Sequence, residues 1–278
     1  MEAVPMVTLE NGVDIPQLGF GVFQIPPADT VEAVAAALRA GYRHIDTAQM
    51  YGNEREVGAA IAGSGLDPAE VFVTSKLNNN QLGFDAAVRA FEGTLRALGT
   101  DRIDLFLVHW PLPTVRDYVE TWRALETVYA EGRARAIGVS NFQPDHLRRV
   151  LAETEIAPVL NQIEVHPYLT QGPLLAFDAE HRIATESWSP IAQGAVLDDP
   201  VVVEVAAECG RTPAQVVLRW HVQRGCIVIP KSVVPARMAE NLAVFDFELD
   251  DRAMARLSAL NRDERTGPDP DTFDYVPA

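Results

Sequence analysis

The chain has 278 residues, of which 47% are hydrophobic, ample for a large core. Its 39 acidic against 23 basic side chains give a formal net charge of −16 at pH 7. That balance argues against a general nucleic-acid partner or an anionic membrane surface, and any anionic ligand has to be held by a local basic cluster working against the global field.

At the N-terminus, "MEAVPMVTLENG" lacks a basic segment followed by an apolar run, so no signal peptide is expected. "VTLENGVDIP" predicts a hairpin, two short strands around Asn11-Gly12, a dipeptide that tolerates positive φ at both turn positions. Alternation follows. "PQLGFG", "HIDTA", "VFVTSKL", "RIDLFLVHW", "ARAIGVS", "VLNQIEV", "IATESWS" and "CIVIPKS" read as strands. Between them lie amphipathic helical stretches such as "DTVEAVAAALRAG", "NEREVGAAIAGSG", "DAAVRAFEGTLRALG" and "DYVETWRALETVYAEG". Several of these start near Asp or Asn and end at Gly, the expected capping asymmetry.

Strands alternating with helices imply parallel pairing, and eight such units favour a closed barrel over an open sheet. The expected fold is α/β, a (β/α)₈ TIM barrel with an N-terminal β-hairpin and a C-terminal tail. No Pro/Gly/Ser-rich linker divides the chain, so residues 1–278 are expected to form one domain. The tail "RTGPDPDTFDYVPA" reads as draped or mobile. No apolar run approaches the ~18 residues of a membrane span. Cys209 and Cys226 stand in no metal-binding pattern and read as small core residues in a reducing compartment. The cytoplasm is the expected location. With no heptad or apolar stripe legible on the helices, a monomer is the expected state.

Function in such barrels concentrates at the C-terminal ends of the strands. Asp46 is expected to end the second barrel strand, Lys76 the third and His109 the fourth. Ser140-Asn141 end the fifth, Gln162 to Glu164 the sixth, Trp188-Ser189 the seventh and Lys231-Ser232 the eighth. An aspartate at the end of a buried strand is costly unless neutralised, and Lys76 on the neighbouring strand can do that. Tyr51 follows on the same loop. A phenol holds its proton at neutral pH, with a reference pKa near ~10, and a nearby ammonium is expected to lower that value. His109 could donate to the same oxygen that Tyr51 protonates. This is a proton donor poised over a carbonyl, with no obvious nucleophile and no metal ligands, which suits reduction by hydride and proton transfer. Each residue also has a plainer reading: a structural Asp-Lys pair, a core histidine, a surface tyrosine. Four of them at consecutive strand ends make the joint functional case.

Several stretches carry a family likeness: "GYRHIDTAQMYGNE", "LFLVHWP", "IGVSNF", "NQIEVHP" and "IPKSVVPARMAEN". From about Val7 to Phe247 the chain resembles the aldo-keto reductases, specifically the bacterial branch of 2,5-diketo-gluconate and small-aldehyde reductases. The resemblance implies a catalytic tetrad of Asp46, Tyr51, Lys76 and His109, with Tyr51 as general acid in reduction. It implies NADPH as cofactor. Ser140, Asn141 and Gln162 would bind the nicotinamide carboxamide and Trp188 would stack on the ring, although a tryptophan there can also be plain core. Ser189, Ile191 and Leu197, in "SPIAQGAVL", would lie along the pyrophosphate. Lys231, Ser232 and Arg237 would surround the 2′-phosphate, unless Arg237 serves only solubility, and Ile229, Val233, Glu240 and Asn241 would flank the adenosine. No GxGxxG occurs, so an open Rossmann sheet is not supported.

Two departures from the gluconate-type pattern stand out. Asn78 replaces an aromatic two residues after the lysine, and Val234 replaces an arginine of the phosphate loop. The first removes a pocket wall; the second leaves fewer charges for the 2′-phosphate. Phe23, Asn78 and Trp110 are the expected substrate contacts, with further walls from the tail. The expected substrates are small-molecule carbonyl compounds: small aldehydes, 2-oxoaldehydes such as methylglyoxal, or diketo sugar acids. The competing reading is a non-catalytic cofactor-binding or structural barrel protein, which has no need of a buried Lys-Asp pair beneath a phenol. A metal-dependent hydrolase would want an HxH at a strand end, and none occurs.

Overall fold

The structure is a computed structural model and describes residues 4–277. A hairpin of β1 (Met6–Thr8) and β2 (Asp14–Pro16) precedes an all-parallel eight-stranded sheet. The sheet runs in sequence order through β3 (Phe20–Gly21), β4 (His44–Asp46), β5 (Phe72–Leu77), β6 (Ile103–Val108), β7 (Ala134–Ser140), β8 (Leu160–Glu164), β9 (Ala184–Trp188) and β10 (Ile227–Val228). It closes through a parallel bridge between Leu18 and Val228, where Gly19 N–H donates to the Val228 carbonyl at 2.8 Å. The result is the expected (β/α)₈ barrel.

Helices follow the strands on the outside: α1 (Pro27–Ala40), α2 (Glu54–Ala62), α3 (Phe84–Leu98), α4 (Tyr118–Ala130), α5 (Pro144–Glu153) and α6 (Gly172–Glu180). After β9 come α7 (Pro200–Cys209) and α8 (Pro213–Gln223), and after β10 come α9 (Pro235–Leu242) and α10 (Asp251–Ser258). The capping chemistry is visible in the contacts. Asp117, Asp199 and Asp250 each accept a backbone N–H at the start of α4, α7 and α10. Gly99 and Gly210 end α3 and α7 in the left-handed region. Asn53 precedes α2 but does not cap it. Its amide is buried and donates at 3.2 Å to the carbonyls of Val22 and Ile25, stapling the Tyr51 loop to the β3 loop.

The hairpin differs from the expected turn. Thr8 pairs with Asp14, leaving five residues between the strands. Gly12 has φ +80° while Asn11 stays outside the positive-φ region; the Asn11 amide donates to the Arg135 carbonyl at 3.0 Å and its Oδ1 accepts from the Val13 N–H at 3.3 Å. Leu9 and Ile15 thereby plug the bottom of the barrel against Phe72, Leu105, Leu107 and Leu160. Inside the wall, Gly138 is required by close approach, since a Cβ there would lie 2.6 Å from the Leu160 carbonyl oxygen. Both cysteines are free, Cys226 within the core. No helix among the described residues is long and apolar enough to cross a membrane.

Candidate active site

The polar strand ends do converge at one mouth. Asp46 ends β4, and Lys76 is the next-to-last residue of β5; both side chains are essentially inaccessible. Lys76 Nζ donates to Asp46 Oδ1 at 2.7 Å, to the Thr47 carbonyl at 2.9 Å and to the Tyr51 hydroxyl at 3.3 Å. Three acceptors satisfy the three ammonium N–H bonds, so the cation is tolerated in the core and fixed in direction. Burial alone would lower the Lys76 pKa, but its acidic neighbours, Asp46 first among them, outweigh it and hold the ammonium above its ordinary range.

Tyr51 sits on a single 3₁₀ turn, Gln49–Tyr51, closed by Gly52 at φ +69°. Its ring packs against Phe23 at 5.0 Å and edge-on to His109 at 5.8 Å between centroids. The expectation of a lowered phenol pKa is corrected here. Burial raises it, the Lys76 ammonium opposes that, and burial wins, so the hydroxyl keeps its proton. His109 directly follows β6 and is pushed well below the usual histidine range, first by burial and then by Lys76. A neutral imidazole carries one N–H and can donate to an oxygen without surrendering the proton.

Around this centre, Asn141 is held at φ +64°. Its amide donates to the His109 carbonyl at 2.9 Å and to Ser140 Oγ at 3.0 Å, and its Oδ1 accepts from Trp188 Nε1 at 2.9 Å. The Trp188 ring is therefore fixed in orientation. Gln162 spends its amide nitrogen on two carboxyl groups, Asp46 at 2.8 Å and Glu186 at 2.6 Å. Only its Oε1 is left for a ligand. Non-glycine residues with positive φ gather at the same rim: Gln24, Leu112, Asn141, Ser189, Ala192 and Gln193. Backbone strain of this kind concentrates at functional sites.

Ser189, Ile191 and Leu197 lie half-buried on the loop after β9. Ile229 and Asn241 are buried, Val233 is exposed, and Glu240 is engaged by the Thr212 hydroxyl at 2.5 Å. One strand-end expectation fails: Lys231 and Ser232 stand beyond β10, which stops at Val228. Pro230 has no N–H to continue the ladder. Lys231 and Arg237 are exposed and, among the described residues, form no ion pair. The chain has two lysines, and both stand at this mouth.

Phe23 is half-exposed at the lip, Asn78 lies beside the centre with its Oδ1 buried and unpartnered, and Trp110 is buried. The tail is draped over the mouth, one of the two outcomes expected of it: Phe273 packs at a tilt of 48° against Trp110, ring centroids 4.3 Å apart, and the Tyr275 carbonyl accepts from Asn79 at 2.9 Å. Two features escaped the sequence reading. Glu164 clamps that tail, its Oε1 accepting from the Thr266 backbone and hydroxyl. Glu186 is a second carboxyl in the barrel centre. Its signal was an acid in the middle of a barrel strand, between Thr185 and Ser187.

The Aldo/keto reductase family model matches residues 17–262. The chain belongs to that family. An aldo-keto reductase of Mycobacterium sp. (strain JLS) is 52% identical over 272 residues, covering 98% of this chain and 99% of its own. Methylglyoxal reductase DkgA of Escherichia coli (strain K12) is 45% identical over 270 residues, covering 96% and 98%. Among solved structures, a mutant of Gox0644 in complex with NADPH matches with a TM-score of 0.95 and 45% identity, covering 99% of this chain and all of the other. Aldo/keto reductases are oxidoreductases, and the hydrogen-bonded Asp46–Lys76–Tyr51 array is the feature of this member that its chemistry has to explain.

Proposed function

We propose that this chain is an NADPH-dependent carbonyl reductase acting on small aldehydes and 2-oxoaldehydes, with Tyr51 as its proton donor. One observation carries the reading: a buried ammonium, neutralised by Asp46, lies 3.3 Å from the phenol oxygen at the barrel mouth.

The residues present fit a dinucleotide. Lys231 and Arg237, which have no acidic partner among the described residues, would with Ser232 suit a 2′-phosphate. The loop after β9, with Ser189, Ile191 and Leu197, would run along a pyrophosphate through its side chains, because the N–H groups of Ala192 and Gly194 are already donated to the Ser189 and Ile191 carbonyls at 2.8 Å. Trp188 offers a flat platform, and Ser140, Asn141 and the free Gln162 Oε1 offer partners for a carboxamide. When bound, the reduced nicotinamide supplies the hydride that the carbonyl carbon accepts.

The chain's own residues supply the rest. Tyr51 gives its proton to the carbonyl oxygen, and Lys76 stabilises the phenolate left behind. Asp46 keeps Lys76 charged and aimed. Neutral His109 donates a hydrogen bond to the same oxygen and orients it. Running in reverse, the Tyr51 phenolate takes the proton from an alcohol. Phe23, Trp110 and Phe273 form aromatic walls, with Asn78 the one amide among them, which suits compact carbonyl compounds with an adjacent polar group. The resemblance to methylglyoxal reductase DkgA supports that choice.

The test is loss of NADPH absorbance with methylglyoxal and a panel of short aldehydes. Turnover is expected with methylglyoxal. No turnover across the panel would reject the reading in favour of a non-catalytic barrel.

A further inference from the structure

The mechanism above makes no use of Glu186, although one amide separates it from the Asp46–Lys76 pair. β9 sets Glu186 opposite Gln162 of β8 on one side and Ile227 of β10 on the other. The side chain is wholly buried inside the barrel. Gln162 Nε2 donates at 2.6 Å to Glu186 Oε2 and at 2.8 Å to Asp46 Oδ2. A single amide therefore ties two carboxyl groups together, and one ammonium, that of Lys76, stands against both. Two acids facing one buried cation do not both ionise readily.

Asp46 holds the direct ion pair at 2.7 Å, so Glu186 is the acid that retains its proton. Burial first, and then the charge of Asp46, push its carboxyl up to about 8. The remaining groups that face it offer no compensating charge. His44 of β4 has its Nε2 3.7 Å from Glu186 Oε1, and burial pulls that imidazole down to about 3. Thr74 of β5 occupies the same His44 nitrogen at 3.1 Å. Glu186 Oε1 is left with no hydrogen-bond partner. Tyr51, on the turn after β4, lies within reach of the Glu186 charge, which raises its pKa.

We propose that Glu186 is a positioning residue for this reaction, acting through Gln162: it fixes which end of the Gln162 amide faces the mouth, and its ionisation sets how readily Tyr51 gives up its proton. The inference rests on the reductase reading of the site. Its sign follows from charge. An ionised Glu186 adds a negative charge near the phenol and makes phenolate costlier, so Tyr51 stays protonated to higher pH. Carbonyl reduction, which needs the phenol, then persists further into the alkaline range. Alcohol oxidation, which needs the phenolate, starts later.

Glu186→Gln removes the ionisable charge and keeps an oxygen to accept from Gln162. Two readouts test it. In the pH profile of methylglyoxal reduction, the alkaline limb of E186Q is expected about half a unit or more below that of the wild type. In the cofactor-free protein, ultraviolet difference titration of Tyr51, with Tyr51→Phe as background, is expected to show phenolate forming earlier by a similar shift. Unmoved limbs in both readouts would overturn the proposal. An earlier phenolate in E186Q, together with a wild-type protein that turns over no carbonyl, would instead reject the reductase reading and leave the Glu186–Tyr51 coupling standing. Should E186Q fail to fold, Glu186→Met removes the same charge with a side chain of similar length, at the cost of one unpaired Gln162 N–H. It is expected to shift the phenol in the same direction and to raise the KM for NADPH severalfold, because Gln162 is then held by Asp46 alone; unchanged values for both would overturn the proposal equally.

Discussion

Asn141 Oδ1 accepts a hydrogen bond from Trp188 Nε1 at 2.9 Å, joining the end of β7 to the end of β9 across the intervening strand. The indole is thus a fixed plate rather than a loose lid. Asn141→Ala removes that bond and the two to His109 and Ser140. The bond to Trp188 alone, at about 1 kcal/mol for a neutral hydrogen bond, corresponds to NADPH binding weakened by about fivefold, read as quenching of tryptophan fluorescence. Unaltered affinity would show that Trp188 needs no such support.

The underside of the same plate makes a second case. A Cβ on Gly267 would lie 2.5 Å from Trp188 Cη2, and Glu164 anchors the tail at this point. Gly267→Val should therefore displace either the indole or the tail. Raised KM values for NADPH and for aldehyde together, with a circular dichroism spectrum like that of the wild type, are the expected signature. A chain truncated after Gly267 loses Phe273 from the face of Trp110. It should accept bulkier ketones while its KM for methylglyoxal rises severalfold.

The sequence made the barrel and its mouth legible because both rest on local periodicity. Strands and helices alternate, and Asp46, Lys76 and His109 each fall within one residue of a strand end. What the rim residues do to one another was less visible. Gln162 read as a ligand contact, yet its amide nitrogen is committed to Asp46, 116 positions away, and to Glu186. Long-range pairings of that kind leave no trace in spacing. The Tyr51 pKa was misjudged for a related reason: the neighbouring ammonium could be inferred from strand order, whereas the depth of burial that outweighs it could not. β10 looked longer than it is because "CIVIPKS" has strand composition up to a proline that ends the ladder.

Arg237 offers the sharpest check of cofactor choice. It stands exposed on the first turn of α9 with no acidic partner among the described residues. Arg237→Ala should raise the Kd for NADPH by about tenfold or more, the scale of a charge-assisted contact, and leave that for NADH nearly unchanged. Equal weakening of both would remove it from the 2′-phosphate.

Stability should fall in acid, for a reason located in the core. Burial pulls the pKa of both His44 and His221 down to about 3, and both side chains are inaccessible. Unfolded histidine titrates near ~6.5, so between these values the unfolded chain binds more protons than the folded one. The stabilising contribution of the neutral rings is complete above about 6.5 and is lost as pH falls toward about 3. Urea titrations at stepped pH should show this decline. His221→Gln, which can still donate to the Pro190 carbonyl, should flatten it; an equally steep decline in that variant would place the acid sensitivity elsewhere.

The central claim is that Tyr51 delivers the proton, and the most direct measurement is single-variant kinetics of Tyr51→Phe with methylglyoxal and NADPH. The expected kcat is lower by at least ~10²-fold, the scale of a lost general acid, with NADPH affinity unchanged. Turnover equal to that of the wild type would contradict it.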